Sequence, residues 1–316
     1  MTGHSAHWGF KGVRAAVPSA LILFCLIVLP GWGTAYHVSL LTSVFLYIIL
    51  TVSWALFSGP TGYMSLASAA FFGVGVYTTA VMGENLPLLL DIAAGGVFSF
   101  LLALLVGLSC LRLRGVYFCI FSFGLSELIL HSVLFYEMEV TGTVGRLVVG
   151  TDEKTVYYIM LIIIVILLCS VFLLRSSKYW LALRGIGQAE SAASHIGVNV
   201  NRLKVIVFAF TAFFMGAAGA AMVTQWTYVD SRTAFNMFYS FMPVVMAIFG
   251  GVQSVWGQIV GAIILTLLAE SLLIKFPYLY MLFFGILVLA VILFFPKGVI
   301  GLADVLKKDV KGHQDI

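Results

Sequence analysis

Of 316 residues, 62% are hydrophobic and only 9% charged; a soluble domain carries about 25% charged residues, so too few charges remain to coat a globule of this size in water. The net charge of +4 is small, and no Lys/Arg stripe interleaves with aromatics, which excludes a nucleic-acid-binding reading. Apolar runs extend almost end to end with no polar block between them, so the composition describes one domain set in a lipid bilayer.

A spanning helix needs about 20 apolar residues, because the hydrocarbon core is about 30 Å thick. The sequence predicts an all-α integral membrane fold of about ten spans, with a transmembrane domain over 17–302 between short cytoplasmic segments, 1–16 and 303–316. The first span, Val17–Trp32, is read as uncleaved rather than as a secretory signal. Leu40–Phe57, Met64–Met82, Leu88–Cys110, Val116–Tyr136 and Val156–Leu174 follow. The last four are Lys204–Gln225, Phe238–Phe249, Trp256–Ile274 and Tyr278–Phe295. The third, rich in Gly, Ala and Ser, is expected to be partly re-entrant or a plain span, and the short eighth to be broken or extended.

Orientation follows from the excess of Lys and Arg in cytoplasmic loops. With the N-terminus inside, thirteen of the seventeen basic residues fall inside: Lys11, Arg14, Arg112, Arg114, Arg175, Lys178, Arg184, Arg202, Lys204, Lys297, Lys307, Lys308 and Lys311. Both termini are then cytoplasmic. Glu137, Glu139, Asp152 and Glu153 bracket the longest outside loop, either as a docking rim for a basic partner or as the plain acidic half of the charge bias.

Small residues recur at four-residue spacing: Ala69 and Gly73; Ala212, Gly216 and Ala220; Gly257 and Gly261. Such stripes let helices approach closely, and packing is the leading reading of each. Gly59-Pro60-Thr61-Gly62 and Gly250-Gly251 interrupt the apolar pattern, either as tight loops or as breaks lining a cavity. Two acids stand within spans, Glu127 and Glu270. A charge in hydrocarbon costs at least about 2.5 kcal/mol, so each must face protein or water. Glu127 shares a helical face with His131, as part of a path, a proton relay or a structural contact. Cys25, Cys110, Cys119 and Cys169 sit in apolar stretches as filler.

The longest inside loop, 175–203, is expected to hold one short helix over Gln188–Ile196, closed by Gly197 in a left-handed cap. Ala192 and Ala193 keep it slim, with Arg184 and Glu190 as charged rim contacts for a partner. There is no GxxxxGK[ST], HExxH or GxSxG motif and no His/Asp/Glu cluster with metal spacing. The chain is therefore read as no enzyme and as binding no cofactor; ATP, if used, binds elsewhere.

Five motifs then stand in order: Phe57-Ser-Gly-Pro-Thr-Gly62-Tyr-Met-Ser65-Leu66 running into Phe71–Tyr77; Leu113-Arg114-Gly115-Val-Tyr117-Phe118 with Gly124–Glu127; Arg184–Gly197; Phe249-Gly250-Gly251 with Gly257 and Gly261-Ala262; and Phe295-Pro296-Lys297-Gly298 with Gly301-Leu302. Together they resemble the LivM branch of permease subunits in branched-chain amino-acid ABC importers. The resemblance implies a multi-pass permease in the inner membrane of a prokaryote. Its implied partners are a second homologous permease subunit, two cytoplasmic ATPase subunits that use ATP, and an extracytoplasmic solute-binding protein. It implies an ATPase-coupling set of Arg184, Gln188, Glu190, Ala192, Ala193 and Gly197. Gly59, Gly62, Ser65, Glu127 and His131 are the candidates for the translocation path. Gly187-Gln188, where the family usually has a base and then an acid, and Thr141–Gly145 depart from the pattern. They leave the class intact and the solute open among branched-chain amino acids, urea, amides and other amino acids. A self-sufficient secondary transporter driven through Glu127 and His131 is the rival from another class.

Overall fold

The fold comes from a computed structural model, which describes residues 25–31, 34–83, 87–113 and 115–276 and isolated positions as far as 289. Most of the first and tenth predicted spans, both terminal segments, Arg114 and the 295–302 motif lie outside the described residues.

Without water in hydrocarbon to satisfy backbone polar groups, an apolar chain must close its hydrogen bonds within helices. The described elements follow that rule: α1 Ala35–Thr61, α2 Ser68–Met82, α3 Leu88–Cys110, α4 Val116–Tyr136, α5 Glu153–Arg175, α6 Lys178–Gln188, α7 Glu190–His195, α8 Val200–Met222, α9 Ser231–Ala234, α10 Phe238–Gly250 and α11 Val255–Lys275. A π turn, Glu137–Thr141, extends α4. Two short strands, β1 Arg146–Leu147 and β2 Tyr228–Val229, pair antiparallel with Arg146 opposite Val229.

Seven described stretches are long and apolar enough to span a membrane, α9 and α10 counting together, and α2 is a shorter apolar helix. The described residues thus support an all-α membrane protein and do not reach a count of ten. α2 has 15 residues, about 22 Å at 1.5 Å per residue, because its predicted first turn is not helical. The eighth span, Phe238–Phe249, is one unbroken helix, α10, and the apolar stretch extends back from it through residues 235–237 to α9.

α1 and α8 form the interior: 78% of the most apolar stretch of each is buried, against 22% in α4. The small-residue stripes are packing seams. A Cβ on Gly75 would overlap the Gly216 carbonyl, one on Gly216 would overlap Ser99, and one on Gly95 would crowd Ala220, so α2, α3 and α8 meet backbone to backbone. α10 and α11 meet the same way, Gly250 against the Gly257 carbonyl and Gly261 against that of Met246. Where lipid is as apolar as the side chains, such close contact rather than hydrophobicity drives association.

The connections sort to two ends, as spans of alternating direction require. At one end Gln253 donates to the Gly59 carbonyl (3.4 Å), Arg175 donates to the Gln253 carbonyl (3.1 Å), and α6 packs along the end of α1. At the opposite end β1 meets β2, and the Thr151 amide donates to the Thr224 carbonyl (3.0 Å).

The loop helix differs from expectation. Instead of one helix over Gln188–Ile196 there are two, α6 and α7, hinged at Ala189, which is extended (φ −156°, ψ 99°). The hinge sets Glu190 against Lys204, 2.6 Å from its Nζ. Gly197 is left-handed as expected, at φ +88°.

Candidate functional site

The site begins where α1 ends. Pro60, inside the last turn, has no N–H to return to the Leu56 carbonyl, and Gly62 caps the helix at φ +73°, a conformation that favours glycine. Residues 62–67 are then non-helical, with Tyr63, Ser65 and Ala67 buried. Irregular backbone at this depth must find partners, and side chains from three helices supply them. Trp54 of α1 donates to the Ser65 carbonyl (2.7 Å). Ser122 of α4 accepts from the Leu66 amide (2.8 Å), and Ser126 donates to the Leu66 carbonyl (3.3 Å). Ser240 of α10 donates to that carbonyl (2.7 Å) and accepts from the Ala69 amide (3.0 Å). The Ser65 hydroxyl accepts from the Ala67 amide (3.3 Å). The Gly59–Gly62 interruption is therefore a built break between α1 and α2.

A charged knot closes on this break. Lys204, in the first turns of α8, is 1% exposed. Its Nζ donates to Glu190 Oε1 (2.6 Å), the Leu111 carbonyl (2.9 Å) and the Tyr63 hydroxyl (3.0 Å). Tyr63 in turn donates to Glu190 Oε2 (3.2 Å). One ammonium thus ties α7, the end of α3 and the break together, with all three donors used. The sequence alone reads Glu190 as a charged rim contact for a partner and Lys204 only as a topology charge. Their spacing, with Lys204 beyond the Gly197 turn, was the one available signal.

The other loop residues divide by face. Ala193 is buried against Ile186 and Val200, whereas Arg184, Gln188 and Ala192 are exposed. A cleft of about 510 Å3 brings Gly59 and Gly62 together with Arg175, Arg184, Gln188 and Gln253. Gly187 accounts for one departure from the family pattern: a Cβ there would overlap the Pro60 carbonyl. Arg175 lies 4.9 Å over the Trp180 ring, fixing the root of α6 by cation–π contact.

Glu127 and His131 stand apart from this cluster. They face each other along α4 at 3.7 Å, with side chains 33% and 70% exposed. While Ser122 and Ser126 hold the break, this pair opens outward near the middle of an apolar helix. A charge facing hydrocarbon there costs about 2.5–3.5 kcal/mol, so this face of α4 is suited to water or another subunit.

Two acids behave differently from the sequence expectation. Glu137 is 1% exposed rather than part of an outer rim; it accepts from the Tyr77 hydroxyl (2.9 Å) and the Gly145 amide (3.2 Å). Glu139, Asp152 and Glu153 are exposed. Asp91, overlooked because it sits in the first turn of an otherwise apolar span, is 1% exposed. It lines a cavity of about 150 Å3 with Thr79, Thr151 and Thr224 at the opposite end.

Residues 36–292 match the family model described as the permease component of branched-chain amino acid transport systems. The high-affinity branched-chain amino acid transport system permease protein LivM of Salmonella typhimurium is 24% identical over 90% of this chain and 76% of its own length. LivM of Escherichia coli matches at the same identity and coverage. The L-arabinose ABC transporter permease protein AraH of Azospirillum brasilense is 27% identical over 38% of each chain. No solved structure matches. With a family model covering most of its length and an all-helical apolar fold beneath it, the chain belongs to the family of permease components of branched-chain amino acid transport systems.

Proposed function

We propose that this chain is one permease subunit of a binding-protein-dependent ABC importer for branched-chain amino acids in the inner membrane of a prokaryote. It binds no ATP; two cytoplasmic ATPase subunits hydrolyse it. A second homologous permease completes the pathway, and an extracytoplasmic binding protein delivers solute. The end carrying α6 and α7 is cytoplasmic, since Arg175, Lys178, Arg184, Arg202 and Lys204 gather there.

The observation that carries the reading is the joining of a loop helix pair to a helix break in one cluster. ATPase closure would press on the exposed face of α6–α7 at Arg184, Gln188 and Ala192. The break at Gly62–Ala67 would respond, because packed helices with two arrangements convert a local push into rocking between outward- and inward-facing states. The open face of α4, with Glu127 and His131, would line the pathway against the second permease.

The test is co-purification with ATPase subunits and solute-stimulated ATP hydrolysis, followed by uptake of leucine, urea, short amides and arabinose. Leucine uptake with hydrolysis supports the reading; uptake of another solute alone moves the specificity. Transport without any ATPase points to the secondary transporter. Reporter fusions check the orientation, with Ser191 expected inside and Gly150 outside.

A further inference from the structure

We propose that Lys204 is a positioning residue of the transport cycle, carrying displacement of α7 to the Gly62–Ala67 break through Glu190 on one side and Tyr63 on the other. This rests on the importer reading and names the element that transmits within it.

The geometry supports a transmitting role over simple filling. A lysine at 1% exposure is costly unless paired, and an apolar residue of similar length would pack the same space at least as well. What the ammonium adds is direction, because its three bonds end on three separate segments at 2.6–3.0 Å. α7 has only six residues. Its one buried apolar side chain is Ala193, packed with Ile186 and Val200, so its short polar tie through Glu190 is its most directional anchor. On the receiving side, Tyr63 is wedged among aromatics. Its ring centroid lies 5.4 Å from that of Phe118 on α4 and 6.4 Å from that of Phe57 on α1. Tyr63 therefore joins the knot to α1, which ends at the break, and to α4, whose Ser122 and Ser126 hold it. The break itself is held by hydroxyl and indole bonds to single backbone groups, contacts that can be exchanged without unfolding a helix.

Tyr63→Phe separates transmission from folding. It keeps the ring and the Lys204–Glu190 ion pair and removes only the hydroxyl that bridges them to the break. In the assembled complex, leucine uptake per ATP hydrolysed should fall by about tenfold, within the range typical of coupling between sites, while hydrolysis and thermal stability stay near wild type. The double variant Lys204→Met/Glu190→Gln removes both charges, leaving neither one buried alone, and should also be folded and uncoupled. Wild-type uptake per ATP in either assembled variant would overturn the proposal. So would an equal loss of uptake and hydrolysis in Tyr63→Phe, since that would make the hydroxyl a requirement for ATPase engagement. Failure of the unaltered complex to contain an ATPase would instead remove the importer reading, a result visible before any variant is made.

Discussion

Lys204–Glu190 and Glu127–His131 each pair a base with an acid in an apolar chain, yet their settings are opposite. The first pair is closed: Lys204 is 1% exposed, its partner lies at 2.6 Å, and each of its donors has an acceptor inside the chain. The second is open, at 3.7 Å, with His131 70% exposed on the least buried of the described spanning stretches. Polarity in a membrane protein thus serves two ends. Where the chain satisfies a charge internally, the charge fixes how segments meet; where it leaves one facing outward at mid-span, the surroundings of that face cannot be lipid alone.

Stability measurements should separate the two pairs. Glu190→Ala leaves Lys204 buried without its counter-charge and should cost about 3–5 kcal/mol. Lys204→Met should cost less, because Glu190 retains 17% side-chain exposure and can reach water. Glu127→Ala should change stability by less than about 0.5 kcal/mol, as at an ordinary surface position. Thermal unfolding of the solubilised protein checks all three, and equal shifts at Glu190 and Glu127 would erase the distinction.

The 175–203 loop allows the same contrast between an inward and an outward face. Ala193→Trp overfills the Ile186–Val200 cluster and should destabilise by about 1–3 kcal/mol. Ala192→Trp projects from the exposed face, should leave stability unchanged, and should abolish solute-stimulated ATP hydrolysis. Identical behaviour of the two variants would mean that α7 has no distinct partner face.

A smaller effect is expected at the break. Gly62 has open space around its Cα, so Gly62→Ala meets only the strain of φ +73°, about 1–2 kcal/mol for a left-handed side-chain residue. Glu127→Gln, which keeps shape and removes charge, should like Ala192→Trp leave stability unchanged. Uptake should drop about tenfold if the carboxylate serves the pathway, with expression and assembly intact; normal uptake would make the pair a surface contact.

Much of the fold was legible because lipid imposes a simple rule. Leu88–Cys110 and Val116–Tyr136 were bounded to the residue, since the apolar run and the helix must coincide in hydrocarbon. The stripes at Gly216 and Gly261 were legible for a related reason, as small residues at helical spacing have few uses other than close approach. The site was legible only in part. Gly197 announced a left-handed turn and Gly59–Gly62 an interruption, but nothing local announces that Glu190 will turn inward, because its partner Lys204 lies beyond a turn and Tyr63 lies 127 residues away. The division of Ala192 from Ala193 was invisible for the same reason: burial on a short loop helix is decided by what packs against it. Asp91 and Glu137 were misjudged because a sequence records that a residue is charged and not whether tertiary structure encloses it.

The central claim is that this chain moves solute only when an ATPase acts on the α6–α7 face. The direct measurement is leucine uptake into proteoliposomes holding the purified complex, with binding protein on one side and ATP on the other. The account predicts uptake that requires ATP on the side of Ser191, that disappears in Ala192→Trp although the complex stays assembled, and that no proton or sodium gradient can replace. Gradient-driven uptake by this chain without an ATPase would contradict it.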